Sequence, residues 1–252
     1  MKKLNLVLGL FVMVGSIGFV SCKKGNGKMI TSEKEVSSFE AVHISSSSDV
    51  YYHESQQYRA VVTVDENLLD YVVIKTKGNE LRIGTKNGNY SFTKFVVDVY
   101  CPRVTKASIS GSGSFECVEK MVVPTFEATI SGSGNLKGIF ECDDFSARIS
   151  GSGKIDGTVM CNDFSTTISG SGKVTIVGES KNSTINISGS GDFKGREFKT
   201  NNADARISGS GDAYIWAIDY LKAHISGSGN IVYRGSPKID FSGSGSGRMR
   251  SE

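Results

Sequence analysis

One pentapeptide, Ile-Ser-Gly-Ser-Gly, recurs along the chain and limits what it can fold into. Its isoleucines are Ile109, Ile130, Ile149, Ile168, Ile187, Ile207 and Ile225, and Phe241 reads as the start of an eighth copy. Successive copies lie 16 to 21 residues apart. A degenerate earlier copy, Ile44-Ser45-Ser46-Ser47-Ser48-Asp49-Val50, parallels Ile207-Ser208-Gly209-Ser210-Gly211-Asp212-Ala213. Self-similarity at a period near 20 marks a stack of equivalent units, none able to bury its apolar side chains alone.

The residues before each motif identify the unit. Two positions back from the isoleucines stand Ala107, Ala128, Ala147, Thr166, Ile185, Ala205 and Ala223, with Ile239 before Phe241. Four positions back stand Phe126, Phe145, Phe164 and Leu221, with Ser183 as a polar exception. The positions between are mostly polar, among them Glu127, Ser146, Arg148, Asp204 and Lys222. This period-2 alternation predicts a strand with one buried face; helical spacings of three and four are missing. After the motif an apolar residue returns on schedule, from Phe115 and Leu136 to Phe193 and Ile231. Corner-forming residues fill the gaps, with glycines expected to supply positive φ and Asp143-Asp144, Asn162-Asp163 and Asn201-Asn202 a second corner.

Each period of about 19–20 residues is therefore one coil of an all-β parallel β-helix, with coils stacked at about 4.8 Å. Equivalent residues then form columns: isoleucine and phenylalanine inside, glycine and serine at one corner. Stacked serine hydroxyls are expected to bond along their column. Cys142 and Cys161 hold one position in adjacent coils, so they are expected to be near neighbours.

The chain divides further at its start. Residues 1–21 read as an export leader, with Lys2 and Lys3 ahead of an apolar stretch over 6–19 that is too short to span a bilayer comfortably. The leader ends in Phe19-Val20-Ser21-Cys22, which resembles a bacterial lipobox and implies lipidation at Cys22. The competing reading is an ordinary secretory signal. Residues 22–28 read as a short tether, 29–105 as a less regular β region extending or capping the column, 106–245 as the repeat solenoid, and 246–252 as a tail.

Removing Lys2 and Lys3 brings the formal charge of +3 close to neutrality, which gives no electrostatic case for nucleic acid. Cys101, Cys117, Cys142 and Cys161 form no CxxC pair, and His43, His53 and His224 are scattered, so no metal site and no cofactor is expected.

The first half adds an ordered string of motifs: Ser38-Phe39-Glu40-Ala41-Val42-His43-Ile44, Asp49-Val50, Val64-Asp65-Glu66-Asn67-Leu68-Leu69, Gly78-Asn79-Glu80-Leu81-Arg82-Ile83, then Cys101-Pro102-Arg103-Val104 before the serial SGSG. Together these resemble the putative auto-transporter adhesin, head-GIN-domain family of bacterial envelope proteins, over roughly 29–245. The resemblance implies a right-handed β-helix and an exported, often lipid-anchored protein, and it implies no catalytic residues.

Two functional readings follow. The first is a non-enzymatic envelope lipoprotein, expected at the outer membrane and held there by Cys22, whose column offers a surface for adhesion or envelope organisation. Its membrane face is open, and its partners are envelope or host glycans or proteins. A cluster of Tyr214, Trp216, Tyr220 and Tyr233, with Arg234 at Trp216's offset one coil on, is the candidate ligand patch, since aromatic faces beside a guanidinium stack on sugars and peptides. Burial of these rings in the coil is the plainer alternative. The second reading is a carbohydrate-active β-helix enzyme using Asp144 and Asp163, one coil apart, as paired carboxyls. Asn182 and Asn202 at the same place in later coils favour a turn role for that pair.

Overall fold

A computed structural model describes residues 22–252; the expected leader, 1–21, lies outside the described residues. The chain is an all-β solenoid of stacked parallel coils, each contributing one strand to each of two faces. Along the first face run Glu80–Thr85, Ala41–Ile44, Lys106–Ile109, Thr125–Ile130 and Asp144–Ile149. The second halves of Lys154–Ile168, Lys173–Ile187, Asp192–Ile207 and Ala213–Gly227 follow, and Lys238–Gly245 closes the face. The second face carries Phe95–Cys101, Asp49–Glu54, Ser114–Val122 and Asn135–Glu141, the first halves of the same long strands, then Ile231–Arg234 and Met249–Ser251.

The predicted columns are present. Ile83, Ile44, Ile109, Ile130, Ile149, Ile168, Ile187, Ile207 and Ile225 stand in register, and all are buried. The phenylalanine column stacks its rings, with Phe126–Phe145 centroids 5.7 Å apart and Phe145–Phe164 5.8 Å apart. Ser183 interrupts that column and is buried. Its hydroxyl bonds Ser180 at 2.9 Å, Ser180 bonds Thr200 at 3.0 Å, and Phe198 supplies the missing ring 4.9 Å from Phe164. A polar break in a core costs less when its hydroxyls find such partners.

The glycines of the repeat have a different purpose from the expected one. Only two glycines of the SGSG corners, Gly227 and Gly245, have positive φ. Elsewhere glycine is required by contact. A Cβ on the first glycine would meet the carbonyl oxygen of the rung before, at 2.2 Å for Gly132, 2.1 Å for Gly151 and 2.3 Å for Gly170. A Cβ on the second would meet the Cγ2 of the preceding rung's isoleucine, at 2.5 Å for Gly134, 2.6 Å for Gly153 and 2.4 Å for Gly172. Nor do the serine hydroxyls form the expected ladder: among the described residues only Ser246 and Ser228 join equivalent hydroxyls of the motif, at 3.2 Å. Backbone holds the corner instead, through bonds such as Ser150 N to Ile130 O at 2.9 Å and Ser152 N to Gly132 O at 3.1 Å.

The two ends depart from the repeat. At the start, the rung formed by 80–101 lies outside the rung formed by 41–54, so chain order and stacking order are reversed there. Antiparallel strands close this end: Arg59–Asp65 against Phe95–Cys101, Met29–Glu35 against Arg59–Asp65, and Val72–Lys77 against Glu80–Thr85. Charges along these edge strands, including Glu33, Glu35, Lys75 and Lys77, discourage further strand addition. The segment 22–28, expected as a tether, is held: Cys22–Lys24 pairs in parallel with Asn89–Ser91.

At the far end Phe241 does not begin an eighth copy. It stands over Ala223, whereas Gly243 occupies the isoleucine column beside Ile225. Three consecutive Ser-Gly pairs let the motif be read two residues early. The isoleucine column ends at Ile225, and Phe241 and Ile239 are exposed. Residues 246–252, expected as a tail, contain the strand Met249–Ser251 paired with Ile231–Arg234.

Candidate functional site

The candidate aromatic patch divides into three places. Tyr214 and Trp216 alternate with the buried Ile215, so both project outward from one strand of the second face. Register sets Arg234 directly beyond Trp216, and its guanidinium lies 4.3 Å from the ring centroid. Arg196, from the rung before, lies 4.2 Å from the Tyr214 ring and is paired with Glu252. Two aromatic–guanidinium pairs thus sit side by side. Tyr233 is opposite Ile215 and packs against the core, so it faces the other way. Tyr220 belongs to the second corner, where its hydroxyl bonds Asp240 at 3.3 Å.

That corner also contains the paired carboxyls. Asp144 and Asp163 are in register on neighbouring strands. Asp163 accepts a bond from the Asn182 amide at 2.9 Å, and Asn202 donates to Asn182 at 3.1 Å. Asp143 accepts from Asn162 at 2.9 Å. These side chains form an amide–carboxylate ladder along the turn, which accounts for Asp and Asn alternating there.

Cys142 and Cys161 fall opposite one another, between the paired positions Glu141 with Met160 and Asp144 with Asp163. Both are free thiols, half-buried against the core. Burial, reinforced by nearby carboxylates, pushes each thiol up to about 12. They line a surface groove of about 490 Å³ with Glu179, Lys181 and Lys199. A second groove, of about 470 Å³, holds the apolar side chains Val118, Ile139 and Val177. Val118 and Ile139, like Val122 and Met160, are exposed apolar residues that the alternation rule did not reveal. Their signal is the irregular register between Glu116 and Lys120.

The histidines are dispersed, as their spacing suggests. His53 bonds Asp98 at 3.0 Å and stacks on Tyr100, His43 faces Ser110, and His224 faces Ser242. Among the described residues no group of three or more His, Cys, Asp or Glu could hold a metal ion, and no helix is long and apolar enough to cross a membrane.

The crystal structure of a putative lipid binding protein from Parabacteroides distasonis ATCC 8503 superposes on this chain with a TM-score of 0.88 and 29% identity, covering 92% of this chain and 100% of its own. A putative adhesin from Parabacteroides merdae ATCC 43184 gives 0.87 and 25%, covering 92% and 99%. A putative adhesin from Bacteroides fragilis NCTC 9343, 20% identical over 91% and 99%, shares the fold with a TM-score of 0.71. No curated protein matches the chain. The family model for the putative auto-transporter adhesin, head GIN domain, matches residues 38–159 and 140–237, nearly the whole length of the column. With most of its coils and serial SGSG corners inside those limits, the chain belongs to the head GIN domain family of putative auto-transporter adhesins.

Proposed function

We propose that the chain is a lipid-anchored protein of the cell envelope whose β-helix is a binding surface for extended polymers, with no catalytic role. The observation that carries this reading is the pair of outward aromatic–guanidinium contacts, Trp216 with Arg234 and Tyr214 with Arg196, on one flat parallel face. Sugar rings and peptide planes stack on such surfaces, and a rigid ladder of strands presents them without an ordering cost on binding. Glycan of the envelope or of a host surface is the proposed ligand class.

The family's name and the names of its solved relatives support a place in the envelope. One relative is named a putative adhesin and another a putative lipid binding protein, and neither name states a reaction. One member of the carboxyl pair of the enzymatic alternative, Asp163, is engaged in the corner ladder, where its bond from Asn182 gives it a structural task. Anchoring through Cys22 rests on the lipobox-like Val20-Ser21-Cys22.

One experiment addresses both readings. The 22–252 chain is incubated with a panel of envelope and host polysaccharides, scoring retention and cleavage together. Retention without new reducing ends is expected, and Trp216→Ala should weaken it at least ten-fold. Cleavage lost in Asp163→Asn would establish the enzyme instead, and equal retention of Trp216→Ala would remove the proposed site.

A further inference from the structure

The N-terminal rung gathers lysines and tyrosines on one surface. Cys22–Lys24 pairs with Asn89–Ser91, which places Cys22 opposite Asn89 and Lys23 opposite Tyr90. The Lys23 ammonium lies 4.0 Å from the Tyr71 ring centroid and donates to the Tyr71 hydroxyl. Tyr71 packs on Tyr90 at 5.0 Å, and Tyr90 on Phe92 at 6.1 Å. Lys86 is tied to this group through its backbone, which donates to Tyr71 O at 2.8 Å. A hollow of about 220 Å³ opens between Lys23, Lys86 and Tyr90.

Charge is one-sided here. Lys23, Lys24, Lys28, Lys86 and Lys94 are all exposed, and the nearby acids on the short helical turn Glu66–Tyr71 are Glu66, already paired with Lys28 at 2.9 Å, and Asp70. The segment behind Cys22 has no slack. Gly25 N donates to Ser91 O at 2.8 Å, the Asn67 amide donates to Lys24 O at 2.9 Å, and Gly27 N donates to the buried Asp65 carboxylate at 2.8 Å. Whatever Cys22 is attached to is therefore held against this rung.

We infer that the Lys23–Tyr71–Lys86–Tyr90 surface is a membrane-docking face, which seats the N-terminal rung on an anionic phospholipid bilayer beside Cys22. The inference rests on the lipid-anchor reading for its setting, but its chemistry is independent of it. Tyrosine rings settle at the headgroup level with their hydroxyls in water, and lysines gain Coulomb energy from anionic lipid. Multiple acyl chains on Cys22 would already hold the chain durably, and the basic patch would add the orientation in which the rung meets the headgroups. Docked this way, the lipid-bound end is the N-terminal rung, and the Trp216 face lies towards the opposite end of the column.

The test uses the 22–252 chain with unacylated Cys22, so that binding cannot come from acyl chains. Co-sedimentation with phosphatidylcholine vesicles and with vesicles containing phosphatidylglycerol is measured at low and high salt. Binding only to the anionic vesicles, weakened by salt, is expected. Lys23→Ala and Lys86→Ala should each reduce it about five-fold and together about 25-fold, the value of roughly 1 kcal/mol per lysine at an anionic surface. Arg248→Ala with Arg250→Ala, at the far end, should leave it unchanged, and circular dichroism of every variant keeps folding out of the comparison. No binding to anionic vesicles, or equal loss from the far-end variant, overturns the docking face. Lipidation is read separately from the mass of the Cys22 peptide isolated from cells, so a missing acyl group refutes the anchor without touching this result.

Discussion

The substitution Gly151→Ala isolates what the repeat demands of its glycines. An alanine Cβ there would lie 2.1 Å from Gly132 O and 3.0 Å from Ser131 O. Ordinary contact begins more than 1 Å further out, and the obstacle is backbone, which cannot rotate away as a side chain would. Relief requires the two rungs to part by roughly 1 Å at a packing density that leaves no room for it. Ser152 N to Gly132 O, already 3.1 Å, then leaves bonding range, and its neighbour Ser150 N to Ile130 O at 2.9 Å is strained. One or two lost backbone bonds at about 1 kcal/mol each, together with overpacking of about 1–3 kcal/mol, give a cost of about 2–5 kcal/mol. Urea unfolding of the 22–252 chain followed by circular dichroism measures this against two controls. Ser152→Ala, exposed at the same corner, should stay within about 0.5 kcal/mol of the parent. Gly78→Ala, at φ +61° with nothing within 4 Å, should cost only about 1 kcal/mol of backbone strain. If Gly151→Ala unfolds no more readily than Gly78→Ala, close approach is not why these glycines are there, and the contact account of the corner is wrong.

Two further outcomes are expected. Under a mild disulfide oxidant such as oxidised glutathione, Cys142 and Cys161 should cross-link by thiol–disulfide exchange, losing two hydrogens as two glutathione thiols are released. Cys101 and Cys117, set opposite Glu54 and Tyr52 and so out of register, should stay reduced. Because burial holds both reacting thiols near 12, the rate should climb with pH across the neutral and alkaline range, and the closed loop should add about 3 kcal/mol of stability; peptide mapping that finds no Cys142–Cys161 species would exclude it. Asp65 should make the capped end acid-labile. Burial pushes its carboxyl up, but bonds from Gly27, Thr93 and Lys94 outweigh that and hold it below the usual carboxylate range. A depressed folded pKa contributes stability that is complete above the ordinary value and drains away as pH falls towards the folded one. Asp65→Asn should therefore cost about 1–3 kcal/mol at pH 7, with the gap to the parent closing under acid; a gap that is the same at pH 3 and pH 7 would contradict this.

The repetitive body of the fold was legible because stacking puts the same side chain in the same environment every turn. Seven motif isoleucines, with Ile44 in the degenerate copy, are a strong signal, and period 2 gives the face of each strand without knowledge of its partners. The ends were hidden for the opposite reason. The reversal of the first two rungs depends on Val42 meeting both Leu81 and Ala107, pairings far apart in sequence that no local pattern encodes. The last rung was misread because a Ser-Gly dipeptide matches itself two residues away, and only the pairing of Ile225 with Gly243 decides between the two. At the candidate site, the shared face of Tyr214 and Trp216 follows from period 2, and Arg234 follows from the coil offset. Arg196 does not, because the register slips between Gly195 and Lys199. Tyr233 keeps the alternation of its own strand, and only its pairing with Ile215 shows that it faces the core.

These constraints also say where chemistry can change without cost to the fold. Inner columns are committed to isoleucine, alanine and phenylalanine, and the SGSG corner is committed by contact between backbones. The outward column that contains Trp216 has no such commitment: read along the stack it runs Val122, Glu141, Met160, Glu179, Lys199, Trp216 and Arg234. Apolar, acidic, basic and aromatic side chains occupy paired places along one outward column. A column that holds all four classes sets no common demand for an aromatic side chain, so the repeat by itself does not call for Trp216 beside Arg234. That freedom is the physical reason to test for a ligand at Trp216 before the more numerous serines of the corner.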